Sequence, residues 1–353
     1  MAFDRSYISK TIAKVHPAPA YHHIYFNKDS IVSHEFSGLS DITSHVLLNE
    51  QTSFHALSIT KTFTAVGIMH LFERGLVNLD NPIYQYLPEY AFSHEISVRQ
   101  LLCHQSGLAN PIPLRWIHQI KDHSSFDQRS FADNLIKKNL TLKQKPGRRY
   151  SYSNLNYLVL GRLIETITQK NYQTFINESI LSKLPSDNYI GFEIPDSNHA
   201  TGYHSNTWFQ NIVLSLLMGG KRSMQEANDV WKSFNPFYVN GVAYGGLLAS
   251  PKAMMHYCQT LFDEGNVLLS QHVIKEMLSV QSTSQGKTTH MALGWFRGEL
   301  NNKEYFCHAG GGGGYYSEVR VYPALRTGSI VMLNSSGMRD IRLLDHLDLQ
   351  LIK

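Results

Sequence analysis

Residues 58–74 read SITKTFTAVGIMHLFER, and this segment carries the strongest structural signal in the chain. Its apolar side chains recur at the spacing of a helix, at Ile59, Phe63, Val66 and Leu71. Gly75 follows where a helix commonly ends. Because apolar residues occupy nearly every face, the segment is predicted to be a helix buried inside the protein.

Strand-like segments lie on both sides of this helix, close to the two ends of the chain. Residues 21–28 and 30–37 resemble two strands that turn at Lys28 and Asp29. Further short β-rich runs, separated by Gly, Asn and Pro, occur at 290–297, 303–308, 315–322 and 328–334, before an amphipathic helix at 338–351. This order predicts an α+β fold in which an antiparallel β-sheet, built from both chain ends, is flanked by helices.

The middle of the chain has a different pattern, mostly helix and loop. Helices are predicted at 97–103, 130–140 and 155–168. We therefore expect an α/β sandwich domain formed by residues 1–80 and 241–353, with a mainly helical region inserted at 81–240. The functional site is expected at the junction of these two units.

Composition excludes several classes of protein. The 353 residues are 42% hydrophobic, enough for a large core, and the net charge of +4 contains no run of like charges that would suggest a nucleic-acid partner. No segment approaches the roughly 20 apolar residues of a membrane span, and residues 1–23 lack the apolar core of a signal peptide. A cytoplasmic protein without membrane or nucleic-acid partners is expected, although a trimmed leader would leave the same sequence.

The three cysteines fit no disulfide or metal pattern and are expected to be buried thiols.

The buried helix starts with an S-x-x-K motif, from Ser58 to Lys61. Residues three apart share a helix face, so Lys61 is expected to lie over the Ser58 hydroxyl. A lysine in apolar surroundings has a lowered pKa and can accept a proton, while backbone N–H groups at a helix start can stabilise an oxyanion. Ser58 is therefore a candidate nucleophile, and a plain helix-capping serine is the alternative. A second S-x-x-K, from Ser284 to Lys287, lies in a Ser/Thr/Gly-rich loop with no helix behind it.

A second candidate is the tripeptide Tyr152-Ser153-Asn154, just ahead of a predicted helix. Tyrosine acts as a general base only where a neighbouring cation lowers its pKa, and Lys61 could be that cation. Asn154 offers an amide that could hold both a substrate carbonyl and the lysine. A polar, aromatic loop without function is the alternative. The look-alike Ser-Asp-Asn at 186–188 follows a proline in a loop and lacks the helix.

The third candidate is His308-Ala309-Gly310-Gly311, ahead of a strand-like run. Glycines at a strand allow a substrate to approach the backbone, where a free N–H can complete an oxyanion hole. A dinucleotide-binding loop would be followed by a helix instead. None of the 18 histidines pairs with a carboxylate at the spacing of a metal site, so no metal or other cofactor is expected. We interpret His22, His23 and His104 as surface and core residues.

The order of these three motifs resembles that of the serine β-lactamase-related superfamily. This group includes class C β-lactamases, D-alanyl-D-alanine carboxypeptidases, D-amino-acid peptidases and family VIII carboxylesterases. The resemblance covers residues 22–336 and is weakest at 195–240. Other segments similar to the family's sequences are 75–80, 86–89, 101–108, 160–161, 245–247 and 293–295.

This resemblance implies a mechanism. Ser58 would be acylated, Lys61 and Tyr152 would share the proton transfers, and water would then hydrolyse the acyl-enzyme. The oxyanion would lie between the backbone N–H groups of Ser58 and Gly311. The substrate-binding residues implied by the resemblance are Asn154, His308, Gly310 and Gly311.

One departure from the family bears on the substrate. Class C β-lactamases have lysine at the place of His308, and an ordinary imidazole, with a pKa of about 6.5, is mostly neutral above pH 7. We therefore expect a carboxylesterase that acts on small neutral esters or amides. Its preference for neutral over anionic substrates should shrink as the pH falls, because the imidazole then becomes charged. The alternatives are a D-stereospecific peptidase or D-alanyl-D-alanine carboxypeptidase acting on D-peptides, a class C-like β-lactamase, or a non-catalytic binding protein.

Overall fold

One seven-stranded antiparallel sheet, formed by both ends of the chain, organises the fold. The computed structural model describes residues 6–92, 94–111, 116–207, 224–262, 267–336 and 342–352. In spatial order, the strands of the sheet are Phe296–Leu300, Lys303–Gly312, Tyr315–Tyr322, Thr327–Leu333, Ala20–Asn27, Ile31–Asp41 and Val46–Leu47. The Ala20–Asn27 strand joins the two halves, since its Ile24 lies between Ile330 and His34. The predicted α+β fold, with a sheet assembled from both chain ends, is confirmed.

Helices cover the sheet on both faces. Within the described residues they are Ser6–Val15, Thr60–Glu73, Val98–Leu102, Gln128–Lys137, Asn154–Thr168, Tyr172–Ser179, Val242–Gly245, Pro251–Gln259, Gln271–Met277 and Leu343–Leu347. One face carries the large core around Thr60–Glu73, and the other carries a smaller core that joins Ile8 and Ile12 of the first helix to Leu343 and Leu347. The sequence patterns did not predict the Ser6–Val15 helix.

The middle of the chain contains short strands as well as helices. They are Phe54–His55, Ile117–Gln119, Ile190–Gly191, Tyr203–Ser205, Met224–Glu226, Trp231–Phe234, Phe237–Val239 and Leu248–Ala249, and they form three small sheets. One of these sheets pairs Leu248–Ala249 with Phe54–His55, and so ties the segment before Ser58 to a distant part of the chain. The proposed division into two domains stays a prediction.

Two predicted boundaries near the C-terminus differ from the structure. The run at 290–297 becomes a strand only from Phe296, because Gly294 adopts a φ of +84° and its Cβ position lies 2.4 Å from the Cβ of Ala65. That close contact packs the segment against the buried helix instead of extending it along the sheet. The helix expected at 338–351 is observed at Leu343–Leu347, followed by a single 3-10 turn, and residues 338–341 lie outside the described residues.

The Thr60–Glu73 helix is buried as predicted. The ring of Phe63 stacks on that of Tyr257 at 3.9 Å, and Gly67 leaves room for the side chain of Ile176 from a neighbouring helix. The helix begins two residues later than expected, since Ser58 lies in a 3-10 turn ahead of it. The hydroxyl of Ser58 therefore does not cap the helix, and the alternative role of Ser58 as a helix-capping serine does not apply.

A buried ionic cluster attaches the C-terminal helix to the sheet. The fully buried guanidinium of Arg320 lies 3.1 Å from Glu318 and 2.6 Å from Asp345, and 3.7 Å from Asp348. Tyr322 donates a hydrogen bond of 2.8 Å to Asp348. Arg320 therefore compensates the charge of both buried carboxylates, Glu318 and Asp348.

Arg320→Ala is expected to lower the free energy of unfolding by about 3–5 kcal/mol, because it leaves buried carboxylates without a counter-charge. The matched control is Arg297→Ala, which removes a partly exposed arginine that lies 2.8 Å from Glu304 and should cost less than about 1 kcal/mol. Urea denaturation of both variants measures the difference. Equal losses of stability in the two variants would contradict the assignment of this cluster.

Candidate active site

Ser58 lies in a tightly held turn between a short strand and the buried helix. The turn is the 3-10 segment Leu57–Ile59, and Leu57 has a φ of +48°, which is uncommon for a residue with a side chain. Ala56 donates a backbone hydrogen bond of 2.9 Å to the carbonyl of Leu247, whose own N–H donates to the Thr60 hydroxyl at 3.1 Å. These bonds hold both ends of the turn. A strained conformation fixed in this way is a common feature of functional sites.

Lys61 and Tyr152 both reach the Ser58 hydroxyl. The Nζ atom of Lys61 is 2.9 Å from Ser58 Oγ, and the Tyr152 hydroxyl oxygen is 3.0 Å from the same atom. Lys61 also donates to the carbonyl oxygen of Tyr244 at 2.9 Å. The structure therefore brings together the three residues predicted to be catalytic, at the distances that proton transfer requires.

The environment of Lys61 disfavours its charged form. The side chain is fully buried, and within the described residues no carboxylate forms an ion pair with it. The rings of Tyr152, Tyr157 and Tyr244 lie 5.1, 5.6 and 5.3 Å from Nζ and offset only part of the desolvation. Burial consequently lowers the pKa of Lys61 well below its usual value. A free amine at this position can accept the proton of Ser58.

Asn154 lies at the start of the helix that follows Tyr152. Its backbone N–H donates to the side-chain oxygen of Asn110 at 3.0 Å, and its own carboxamide oxygen is buried without a hydrogen-bond partner among the described residues. The expectation that Asn154 would also hold Lys61 is not met, since this oxygen accepts no hydrogen bond there and Lys61 bonds to Ser58 Oγ and to the carbonyl of Tyr244. Asn154 therefore offers an unsatisfied acceptor two residues after Tyr152.

The glycines of the predicted H-x-G motif pass directly beside the Ser58 turn. A Cβ atom on Gly310 would lie 2.5 Å from the carbonyl oxygen of Ala56 and 2.7 Å from the backbone nitrogen of Ser58, so the contact requires glycine. Gly311, the next residue, is exposed, and a Cβ atom there would only touch the Tyr316 ring, at 3.9 Å. The strand and the turn thus bring the backbone of Gly310 directly beside the backbone of Ala56 and Ser58.

His308 differs from the sequence-based expectation. Its side chain is only 1% exposed, Nδ1 donates to the carbonyl oxygen of Ala309 at 3.0 Å, and Nε2 is buried without a partner among the described residues. Burial, and secondly the charge of Lys61, lower the pKa of His308 well below its usual value. The expectation of an ordinary imidazole that gains charge just below neutral pH is therefore wrong, because desolvation keeps this ring neutral.

Several residues of the site were not identified from sequence. The ring of Phe296 lies edge-on to His308 at 5.2 Å, and the guanidinium of Arg342 lies 5.1 Å from the centre of the Phe296 ring. Tyr244, which binds Lys61 through its carbonyl, immediately precedes the Gly245-Gly246-Leu247 segment that resembles the family. Phe296 likewise directly follows the family-like segment 293–295, whereas a single arginine such as Arg342 has no local sequence signal.

The remaining sequence-based candidates lie in other surroundings. Ser284 is in an exposed turn whose backbone N–H donates to the carbonyl of Gly147 at 2.8 Å, and Ser186 and Asp187 are in an exposed loop. His22, His23 and His104 are all buried. The three cysteines are free and buried, as expected, and burial raises the pKa of each thiol.

The described part of the chain contains neither a cluster of metal-binding side chains nor a membrane-spanning helix. No group of three or more His, Cys, Asp or Glu side chains there is arranged to hold a metal ion. None of the helices there has the length and apolar character needed to cross a membrane.

The sequence matches a family model and several known proteins. The family model described as Beta-lactamase matches residues 20–352. Protein flp of Staphylococcus aureus (strain MRSA252) is 22% identical over 325 residues, and the match covers 89% of this chain and 59% of that protein. Penicillin-binding protein 4* of Bacillus subtilis (strain 168) is 25% identical over 296 residues, with 81% of this chain and 61% of that protein covered. The chain therefore spans about three-fifths of the length of these relatives.

Solved structures share the fold at low sequence identity. The D-amino acid amidase from Ochrobactrum anthropi SV3, complexed with L-phenylalanine, superposes with a TM-score of 0.81 at 19% identity, covering 98% of this chain and 97% of that chain. The octameric penicillin-binding protein homologue from Pyrococcus abyssi gives a TM-score of 0.77 at 22% identity, covering 99% of this chain and 76% of that chain. These likenesses establish a common architecture.

Proposed function

This chain belongs to the beta-lactamase family of serine hydrolases, and on that premise we propose that it hydrolyses small esters or amides through an acyl-enzyme at Ser58. The observation that carries the proposal is the meeting of two proton-transfer groups at one hydroxyl. Lys61 Nζ and the Tyr152 hydroxyl lie 2.9 and 3.0 Å from Ser58 Oγ. A hydroxyl with a buried amine on one side and a phenol on the other is an activated nucleophile.

The proposed reaction has two stages. In the first, the free amine of Lys61 takes the proton of Ser58 as its oxygen attacks the substrate carbonyl, and the Tyr152 hydroxyl delivers a proton to the leaving group. The oxyanion lies between the backbone N–H groups of Ser58 and Gly311. In the second stage, the Tyr152 phenolate takes a proton from a water molecule as the water oxygen attacks the ester carbonyl, and the bond between the acyl group and Ser58 Oγ then breaks. Lys61 returns its proton to Ser58 Oγ, the acid is released, and all three residues regain their starting protonation states.

The proposed substrates are small neutral esters, as for a carboxylesterase. His308 occupies the place where class C β-lactamases have lysine, and its buried ring is held neutral. The ring of Phe296 beside it adds apolar surface for an acyl or alcohol group. The His308 ring itself therefore supplies no positive charge to a substrate carboxylate, whereas the lysine of a β-lactamase does.

A D-stereospecific amidase or peptidase is the second candidate. The buried carboxamide oxygen of Asn154 lacks a partner within the described residues, and an amide or amine substrate carries an N–H that could satisfy it, whereas an ester does not. The D-amino acid amidase that shares this fold makes D-amino acid amides the natural first amides to test. Hydrolysis of an ester and an amide with the same acyl group, compared in Asn154→Leu and the wild-type protein, separates the two candidates.

Covalent labelling tests the general proposal. The wild-type protein should react with a fluorescent fluorophosphonate, and mass spectrometry of the labelled peptide should place the adduct on Ser58. Labelling elsewhere, or no labelling at any pH between about 6 and 10, would reject the proposal.

The neutral state of His308 leads to an expected substrate preference. Short p-nitrophenyl esters should be hydrolysed with kcat/KM at least about a hundredfold above that for the anionic β-lactam nitrocefin, which corresponds to about 2.7 kcal/mol of transition-state binding. Because burial keeps the pKa of His308 far below 6.5, the ratio of the two rates should stay constant between about pH 5.5 and 8.5. Titration of Lys61 as the proton acceptor affects the chemical step with both substrates, so the informative quantity is the ratio of the two rates at each pH. A ratio that falls steadily below about pH 6.5 would show that His308 becomes charged.

A further inference from the structure

His104 holds the backbone on both sides of Tyr152. Its carbonyl oxygen accepts a hydrogen bond of 2.8 Å from the N–H of Ser151, and its Nδ1 atom accepts one of 3.2 Å from the N–H of Ser153. The imidazole ring also packs against the Tyr152 ring, with the centroids 4.4 Å apart. One residue therefore contacts Tyr152 itself and fixes each of its two neighbours.

The hydrogen bonds determine the form of the His104 ring. A backbone N–H can only donate, so the bond from Ser153 makes Nδ1 an acceptor and places the proton of the neutral ring on Nε2. The side-chain amide of Asn156 lies 3.1 Å from the same nitrogen, and its oxygen accepts a bond of 2.7 Å from the Ser106 hydroxyl. Asn156 is thereby oriented to donate its N–H to His104. Protonation of Nδ1 would break both of these contacts.

This arrangement has an energetic cost that the rest of the core must offset. His104 is fully buried and adopts a φ of +56°, and its Nε2 has no hydrogen-bond partner within the described residues. A left-handed backbone at a residue with a side chain and an unsatisfied buried donor each disfavour the folded state. Burial and the charge of Lys61 lower the pKa of the ring well below its usual value, which preserves the acceptor at Nδ1.

We propose that His104 is a positioning residue for catalysis, which holds the Tyr152 hydroxyl at Ser58 by binding the backbone on both sides of Tyr152. The inference rests on the proposed function, since it assigns His104 a role in the same reaction. The bonds from the N–H groups of Ser151 and Ser153, together with the His104 ring face, restrain the Tyr152 backbone and side chain, so the hydroxyl stays 3.0 Å from Ser58 Oγ. Displacement of a proton-transfer group by about 1 Å can cost about a hundredfold in rate.

Two substitutions separate the acceptor from the ring. His104→Phe keeps an aromatic ring against Tyr152 but removes the acceptor, and should slow fluorophosphonate labelling about a hundredfold. His104→Asn places a carbonyl oxygen close to the position of Nδ1 and tolerates the left-handed backbone, so it should stay within about tenfold of the wild-type rate. The matched control is His23→Phe, which replaces another fully buried histidine in the large sheet and should change the rate less than about threefold.

A double-mutant comparison distinguishes positioning from general stability. In a Tyr152→Phe background, adding His104→Phe should slow labelling by less than about threefold, because the hydroxyl that His104 positions is already absent. An equal loss in both backgrounds would overturn the proposal, as would a wild-type rate in His104→Phe. A wild-type protein that is not labelled would overturn the proposed function, and this inference with it.

A third variant keeps the proposal testable where His104→Phe does not fold. His104→Gln retains a polar side chain, but places its oxygen near the position of Nε2 instead of Nδ1. Labelling of His104→Asn should then be at least about tenfold faster than labelling of His104→Gln. Equal rates for these two folded variants would overturn the proposal.

Discussion

Ser58→Ala is expected to abolish both turnover and fluorophosphonate labelling while leaving the fold intact. No other hydroxyl within the described residues is hydrogen-bonded to both Lys61 and Tyr152, so no neighbouring group can replace the nucleophile. The variant loses two side-chain hydrogen bonds but keeps the backbone bonds that hold the turn, and its free energy of unfolding should change by less than about 1.5 kcal/mol. Labelling gels, an esterase assay and thermal unfolding measure the three quantities.

The matched control uses the second S-x-x-K in the chain. Ser284→Ala should retain wild-type labelling and turnover, because Ser284 lies in an exposed turn and its N–H is engaged by Gly147. Residual labelling of Ser58→Ala at the wild-type rate, or loss of labelling in Ser284→Ala, would show that the nucleophile lies elsewhere.

The sequence was sufficient for the elements that depend on local patterns. The run SITKTFTAVGIMHLFER is apolar on all faces, and the helix it forms is buried, including the amine of Lys61. The alternating strands at both chain ends similarly predicted a shared sheet, since segments of this kind bury one face only by pairing with one another. The Ser6–Val15 helix was missed because its two buried isoleucines become a core only where they meet the C-terminal helix.

Features that depend on tertiary contacts could not be predicted. The left-handed conformation of Leu57 is maintained by bonds from its neighbours to Leu247, nearly two hundred residues away in the chain. The neutral state of His308 results from complete burial beside Lys61, and no local pattern indicates how much water reaches a histidine. His104 lies in the LLCHQSGL segment, which resembles the family's sequences, so the sequence did contain a signal for this residue. Its contact with Tyr152 depends on the fold.

The two proton-transfer groups are expected to act as one unit. Lys61→Met and Tyr152→Phe should each lower kcat by roughly two to four orders of magnitude, the range for removal of a positioned acid or base. Both groups contact the same hydroxyl, at 2.9 and 3.0 Å, so loss of either interrupts the same transfer. The double variant should therefore be little worse than the slower single variant. Steady-state kinetics with a p-nitrophenyl ester measures all three.

A measurement of stability checks that Lys61→Met loses activity because the amine is absent and not because the variant unfolds. Burial lowers the pKa of Lys61, so at pH values between the lowered and the ordinary pKa the unfolded chain binds more protons at this residue than the folded protein does. The free energy of unfolding of the wild-type protein should accordingly rise with pH between the lowered pKa and the ordinary value of about 10.4. Methionine has no such proton to lose and should be more stable than lysine at pH 7, with a gain that shrinks as the pH rises. A Lys61→Met variant that is less stable at pH 7, or single losses of activity that multiply in the double variant, would contradict a shared relay through a desolvated amine.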